Sequence, residues 1–374
     1  MEKEYQKELC SKTIDFVRFP LAVMVVFIHS CFGKTDVMSM DFSNLTSTNV
    51  YDLIRITFSH AIPRIAVPTF FLISGYLFFV RLSTWDWSVW RKKMKSRFHT
   101  LVIPFFLWCT LYVCKQVLLK WRHDSPIIEW FNEKGWLHLL WDSQQWGGDF
   151  TNWFGGLEPH STSPALYPMW FLRDLIVVVT LTPIIYWAIK KTRGWFVAVV
   201  GLFYISNVWI DIHGLGCGTL FYFSLGAVFS IYNRNLTTEL AKIRIPSYIL
   251  AFILLCILIR YDGKFTPIGN FFHPFYVIFG VISAINISRW LIESGRCKVN
   301  RFLTDSCFFV FAFHVFILQE SKRLVYKLVG DDGALLLTVR YFLTPVIAIT
   351  LCLAVYYVLR RCFPWISRTL NGGR

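Results

Sequence analysis

Ten apolar runs, spaced along the whole chain, limit what this sequence can fold into. A helix that crosses a bilayer needs about 20 mostly apolar residues, with a range of roughly 17 to 25. Runs of this kind lie at about residues 14–32, 61–80, 99–119, 168–189, 195–212, 216–232, 246–260, 272–290, 305–321 and 337–359, the sixth and seventh being short. The chain of 374 residues is 55% hydrophobic and only 16% charged, far from the balance of a water-soluble domain. The expected fold is therefore all-α: a polytopic membrane protein with about ten transmembrane helices in one domain, residues 1–374.

The formal charge of +15 raises the question of nucleic acid. The basic residues, however, fall in short clusters between apolar runs, as cytoplasmic membrane loops do, so no nucleic-acid partner is expected. With the N-terminus inside, the inner segments hold 23 Lys and Arg against 13 outside. Both termini are then expected in the cytoplasm, in a multi-pass protein of the plasma (inner) membrane, although Lys322, Arg323, Lys327 and Arg340 run against the bias. The first apolar run follows a mixed-charge stretch and lacks a small-residue cleavage site, so it is expected to be retained. Cysteines such as Cys109, Cys256 and Cys352 lie inside apolar runs and read as small buried hydrophobes; nothing in their spacing suits a metal, and none is expected.

The longest connection, residues 120–167, is expected outside and differs from the others. It carries six tryptophans (Trp121, Trp130, Trp136, Trp141, Trp146 and Trp153) among six acidic residues. A loop of this length without obvious secondary structure is a candidate lid and binding surface.

The first apolar run, "FVRFPLAVMVVFIHS", holds Arg18 and His29, polar groups that cost several kcal/mol in hydrocarbon unless paired or functional. Eleven helical steps separate them, which returns the helix to within roughly 20° of its starting direction after ~16 Å, so the two share a face. Asp15 lies one turn before Arg18 and can partly neutralise it. Pro20 either sits in the first turn or kinks the helix just past Arg18. Near helix ends, an arginine can also snorkel and a histidine can bond a neighbouring helix. Further features accumulate: Ser74 and Gly75 in "FFLISGYLFF", Arg173 beside Asp174 one turn below Trp170 in "YPMWFLRDL", and His314 in "SCFFVFAFHVFIL".

These elements, together with a basic stretch leading into "LVIPFFLW", occur in the order and with the helix count of the membrane-bound acyltransferase-3 family, which the chain resembles over roughly residues 14 to 360. The resemblance implies transfer of an acetyl or other short acyl group from acyl-CoA to a hydroxyl of an extracytoplasmic glycan or lipid-linked saccharide. It places the family's essential arginine and histidine at Arg18 and His29. Of the family's RxxR element, Arg97 matches the first arginine, and Thr100 stands in place of the second.

Chemically, an imidazole is suited to general-base work near neutral pH, which fits His29. Arg18, with Asp15 beside it, is suited to a phosphate or carbonyl oxygen. Arg91, Lys92, Lys93, Lys95 and Arg97 would meet the phosphates of the donor, acetyl-CoA being the expected one. Ser74, Arg173, Asp174 and His314 are candidates for orienting or oxyanion roles, and Trp146, Trp153 and Trp170 for stacking on a sugar. Membrane lipids are the other expected partners, and the oligomeric state, a homo-oligomer included, stays open. The rival class is a multi-pass transporter using Arg18 and His29 as a proton or substrate pathway; it lacks a visible inverted repeat. A non-catalytic sensor leaves the Arg18–His29 face without a reason.

Overall fold

The computed structural model describes residues 2–30, 46–80, 82, 84–146, 161–210, 212–330 and 333–373, with the side chain of Trp146 outside that set. In chain order the elements are α1 (Glu2–His29), α2 (Ser47–Arg55), α3 (Ala66–Phe79), α4 (Trp87–Arg97), α5 (Ile103–Arg122), α6 (Ile127–Lys134) and α7 (Trp136–Trp141). A two-stranded antiparallel sheet follows, β1 (Gln144–Trp146) and β2 (Ser161–Ser163), with Gln144 opposite Ser163. The rest is helical: α8 (Trp170–Thr180), α9 (Thr182–Lys191), α10 (Trp195–Ile205), α11 (Cys217–Ile231), α12 (Leu236–Ala241), α13 (Arg244–Arg260), α14 (Pro267–Glu293), α15 (Arg301–Val329), α16 (Ala334–Cys362) and α17 (Pro364–Leu370).

Each of the ten apolar runs contains helix among the described residues, but the helices differ in length. Among the described residues, five helices are long and apolar enough to cross a membrane, or six if one bent pair counts as a span. These are 47–79, where π and 3₁₀ turns join α2 to α3; 87–122, where a π turn joins α4 to α5; and α14, α15 and α16. The bent pair is α8 and α9, which turn by 60° at Leu181. Pro183, in the first turn of α9, supplies no amide hydrogen there, which favours a new helix start over a continuous span. Helix α10 has only 11 residues, short of the 195–212 run, because the chain leaves the helix at Ser206 and Asn207 takes a positive φ of 54°. The helix α1 runs through Pro20, which places that proline in the interior and removes the first-turn alternative.

Helix starts follow sequence signals. The Asp86 side chain accepts hydrogen bonds from the Ser88 and Val89 amides to begin α4, and Asn300 accepts from the Leu303 amide to begin α15. On the outer surface of the helices, large apolar side chains such as Trp195, Leu202, Phe252 and Ile253 are at least half exposed. A soluble protein does not present so broad an apolar face, whereas lipid tails cover it without penalty. Cys109 and Cys352 are buried as expected, but Cys256 is exposed on the face of α13 turned away from the core, where the apolar run looks outward.

The tightest packing is between α3 and α11, and both sequences supply a glycine for it. A Cβ on Gly75 would overlap the Phe223 carbonyl, and one on Gly226 would overlap the Leu72 carbonyl, so each backbone lies directly on the other. This is close approach through small residues, as in other membrane helix pairs. Even Gly226→Ala is expected to destabilise the fold by about 1–3 kcal/mol, read as an earlier thermal unfolding transition in detergent. A normal transition in Gly226→Ala would show that the two helices can part without loss. Around this contact α1 packs on α14 and α15, and α15 on α16.

Candidate active site

His29 is the last residue of α1 and lies in the wall of a cavity of about 700 Å³. The cavity is enclosed by α1, the turns before α3, the start of α8, the 203–219 segment and α14. The His314 ring of α15 lies behind His29, nearly parallel at 13° with centroids 5.4 Å apart, and Tyr167 meets His29 edge-on at 4.6 Å. Nδ1 of His314 donates to the Phe311 carbonyl at 2.8 Å. Because its partner there is a carbonyl, Nδ1 carries the hydrogen and Nε2 is bare. Nε2 is buried without a hydrogen-bond partner among the described residues. The two histidines of the sequence reading, 285 positions apart, thus form one pair.

A third intramembrane histidine joins this cavity. His273, on α14, lines it, and its Nε2 is also buried without a hydrogen-bond partner among the described residues. The run "GNFFHPFY" carried the same signal as the segment around His314, an ionisable residue flanked by aromatics, and could have been picked out on that ground. Arg64 lines the cavity as well, held by a hydrogen bond from Nε to the His60 carbonyl (3.2 Å) and stacked over Phe265. His60 is in turn bonded to Asp262 at 2.5 Å across the α13–α14 turn.

Arg18 does not open into this space. It lines a second cavity of about 130 Å³ together with Ser74, Arg97, Thr100 and Asn371. Asp15 Oδ1 accepts from Arg18 Nη1 at 3.1 Å, so the expected neutralising pair is present. The side chain of Phe311 borders both cavities, and Phe171 packs against it at 5.5 Å and against Phe71 at 4.9 Å. Arg18 and His29 therefore face two compartments separated by phenylalanine rings, where the sequence alone placed them along a single stripe.

The basic stretch divides by helical position. Lys93 and Arg97 lie four residues apart on the inward face of α4. Lys93 Nζ caps the end of α3 by donating to the Phe78 and Val80 carbonyls, a structural use that the sequence reading did not anticipate. Arg97 reaches the second cavity, while Arg91, Lys92 and Lys95 are exposed.

Arg173 and Asp174 are almost fully buried, at 2% and 4% exposure. Arg173 Nε and Nη2 donate to Asp174 Oδ1, Nη1 donates to the Trp141 carbonyl and Thr162 Oγ1, and Nη2 also donates to the Thr162 carbonyl. All five guanidinium N–H groups are used, and Thr219 donates to the other Asp174 oxygen. This arginine ties α7 and β2 down onto α8 and has no donor left for an oxyanion. The connection 120–167 was expected to lack secondary structure; its described part instead forms α6, α7 and the two-stranded sheet. Asp142 clasps it further, accepting from His138 at 2.5 Å and from His213 at 2.7 Å. Burial alone would raise the Asp142 carboxyl, but the two histidine hydrogen bonds and their charge hold it below the usual carboxylate range. The clasp therefore contributes in full above the ordinary carboxylate pKa and is lost as pH falls through the depressed value.

Of the tryptophans proposed for sugar stacking, Trp170 is half-buried and lines the 700 Å³ cavity. The side chain of Trp146 and the whole of Trp153 lie outside the described residues. Trp121 and Trp136 are mostly exposed, and Trp141 packs under Arg173.

No solved structure matches the chain. The succinoglycan biosynthesis protein ExoH of Rhizobium meliloti (strain 1021) is 23% identical to it over 375 residues, covering 97% of this chain and 92% of the relative. The acyltransferase-domain family matches residues 11–359, a range that includes the helix of His29 and the helix of His314, and the chain accordingly belongs to the membrane-bound acyltransferase-3 family.

Proposed function

We propose that this protein transfers an acyl group, acetyl being the expected one, from cytoplasmic acyl-CoA to a hydroxyl of an extracytoplasmic saccharide, with His29 as the general base. The observation that carries the reading is the pair of cavities meeting at Phe311: one is lined by the cationic Arg18 and Arg97, the other by His29, against which His314 is stacked. Membership of an acyltransferase family and the biosynthetic role in the name of the relative support a polysaccharide acceptor. In this reading both termini are cytoplasmic in the inner membrane, the exposed Arg91, Lys92 and Lys95 meet the donor phosphates, and the acyl end passes Phe311 toward His29. The 700 Å³ cavity admits the acceptor, with Trp170 offering an aromatic face.

The step needs few groups. The His29 imidazole takes the hydroxyl proton as the acceptor oxygen attacks the thioester carbonyl, and the resulting imidazolium returns a proton to the departing CoA thiolate. The parallel His314 ring, fixed by the Phe311 carbonyl, keeps the His29 ring from rotating away from the cavity. No step draws on Arg173, whose donors are spent on the fold.

The test is thiol release from acetyl-CoA by purified protein in nanodiscs, with surface-polysaccharide fragments as acceptors. Acceptor-dependent release by the wild type, lost in His29→Ala and Arg18→Ala, is the expected result. Saccharide flux across proteoliposomes without any donor turnover would overturn it in favour of the transporter reading.

A further inference from the structure

The cavity that holds Arg18 is closed on one side by the chain that follows α17. Asn371 is 1% exposed and lines this cavity beside Thr100. Its Nδ2 donates to the Asp305 carbonyl at 2.6 Å, which fixes the orientation of the amide, because only the nitrogen can donate to a carbonyl. The oxygen Oδ1 is then turned away from Asp305, and it is buried with no hydrogen-bond partner among the described residues. Thr100 Oγ1 is in the same condition. Buried polar atoms are satisfied as a rule, so two unmet atoms on residues that line one cavity point to a ligand that meets both.

The segment is held firmly in place. Trp108 Nε1 donates to the Leu370 carbonyl at 2.9 Å, and Gly372 lies directly on the Thr100 carbonyl, where a Cβ would overlap the oxygen. Gly372 has a φ of +67°, a conformation that favours glycine. The sequence that places a threonine at position 100 therefore also supplies the close-lying Asn371–Gly372 turn over it.

We propose that Thr100 and Asn371 form a polar clamp for the pantetheine arm of the acyl donor, a role that rests on the acyl-CoA reading above. The arm is a narrow chain with two secondary amides, each carrying one N–H and one carbonyl. Asn371 Oδ1 accepts from an amide N–H, and the Thr100 hydroxyl donates to an amide carbonyl. A cavity of about 130 Å³ suits a stretch of such a chain and excludes a nucleotide. The nucleotide half consequently stays outside, beside the exposed basic residues of α4, and the clamp acts on a different part of the donor from the one those residues hold.

The experiment measures binding of acetyl-CoA and of adenosine 3′,5′-bisphosphate, which lacks the arm, to full-length protein in nanodiscs by calorimetry. Thr100→Val, which removes the hydroxyl at nearly constant shape, and Asn371→Leu are each expected to weaken acetyl-CoA by about five- to tenfold, the worth of one neutral hydrogen bond. Neither is expected to change the bisphosphate affinity, and Thr100→Ser is expected to retain wild-type affinity for both. Unchanged acetyl-CoA binding in Thr100→Val overturns the clamp while leaving the donor reading intact. An equal loss for both ligands also overturns it, since it marks a general structural effect. A wild-type protein that binds no acetyl-CoA defeats the donor reading and the clamp with it.

Discussion

Replacing His29 by alanine is expected to lower acyl transfer by about 10²- to 10⁴-fold, the usual contribution of a positioned general base. The protein is expected to purify normally, because His29 is only half-buried at the end of α1 and α1 is anchored by Leu21, Val25 and Val26 below it. His314→Ala is expected to cost less, about 10- to 100-fold, since it removes the ring that positions His29 and leaves the base itself in place. Thiol release by the two variants, measured at saturating donor and acceptor, checks the order. If His314→Ala were the more damaging of the two with its fold intact, the assignment of the base would move from His29 to His314.

Arg173→Ala is expected to be the most destabilising single substitution in the outer cover, by about 3–5 kcal/mol, the cost of leaving a buried ion-pair partner uncompensated. It would strand Asp174, 4% exposed, and remove the hydrogen bonds that Arg173 donates to the Trp141 and Thr162 carbonyls. Arg173→Lys is expected to rescue little, because one ammonium cannot reach the four acceptor atoms that the planar guanidinium spans. Thermal unfolding in nanodiscs reads the stability, and limited proteolysis within 120–167 reads release of α7 and the sheet. A wild-type melting profile for Arg173→Ala would show that the cover is held chiefly by the Asp142 clasp.

Much of the site was legible because intramembrane ionisable residues are rare and expensive enough to stand out. Asp15, Arg18, His29 and His314 were found this way, and the predicted Asp15–Arg18 pair is present. His273 carried the same signal and was missed, and Arg64, at the start of the 61–80 run, was not singled out either. The double role of the basic stretch was illegible, since nothing in "RKKMK" distinguishes the lysine that caps α3 from those that face outward. Arg173, which lines the same cavity as His29, shows a structural use that its sequence did not announce. Its sequence setting beside Asp174 suggested chemistry, but its five donors are consumed by backbone and side-chain acceptors contributed from α7, β2 and α8.

Hydrophobic run lengths, helix caps and the spacing of polar residues within a run act locally, so the sequence by itself determined a helical membrane protein, the approximate positions of its apolar helices and the candidate ionisable residues. Which residues meet depends on contacts between segments hundreds of positions apart. Only the tertiary structure stacked His314 on His29, put Arg18 and His29 on opposite sides of Phe311, and laid Asn371 over Thr100. The physical reason is that helix periodicity fixes the direction of a side chain relative to its own axis, whereas the close approach of backbones at Gly75 and Gly226 and the bend at Leu181 decide what that side chain faces.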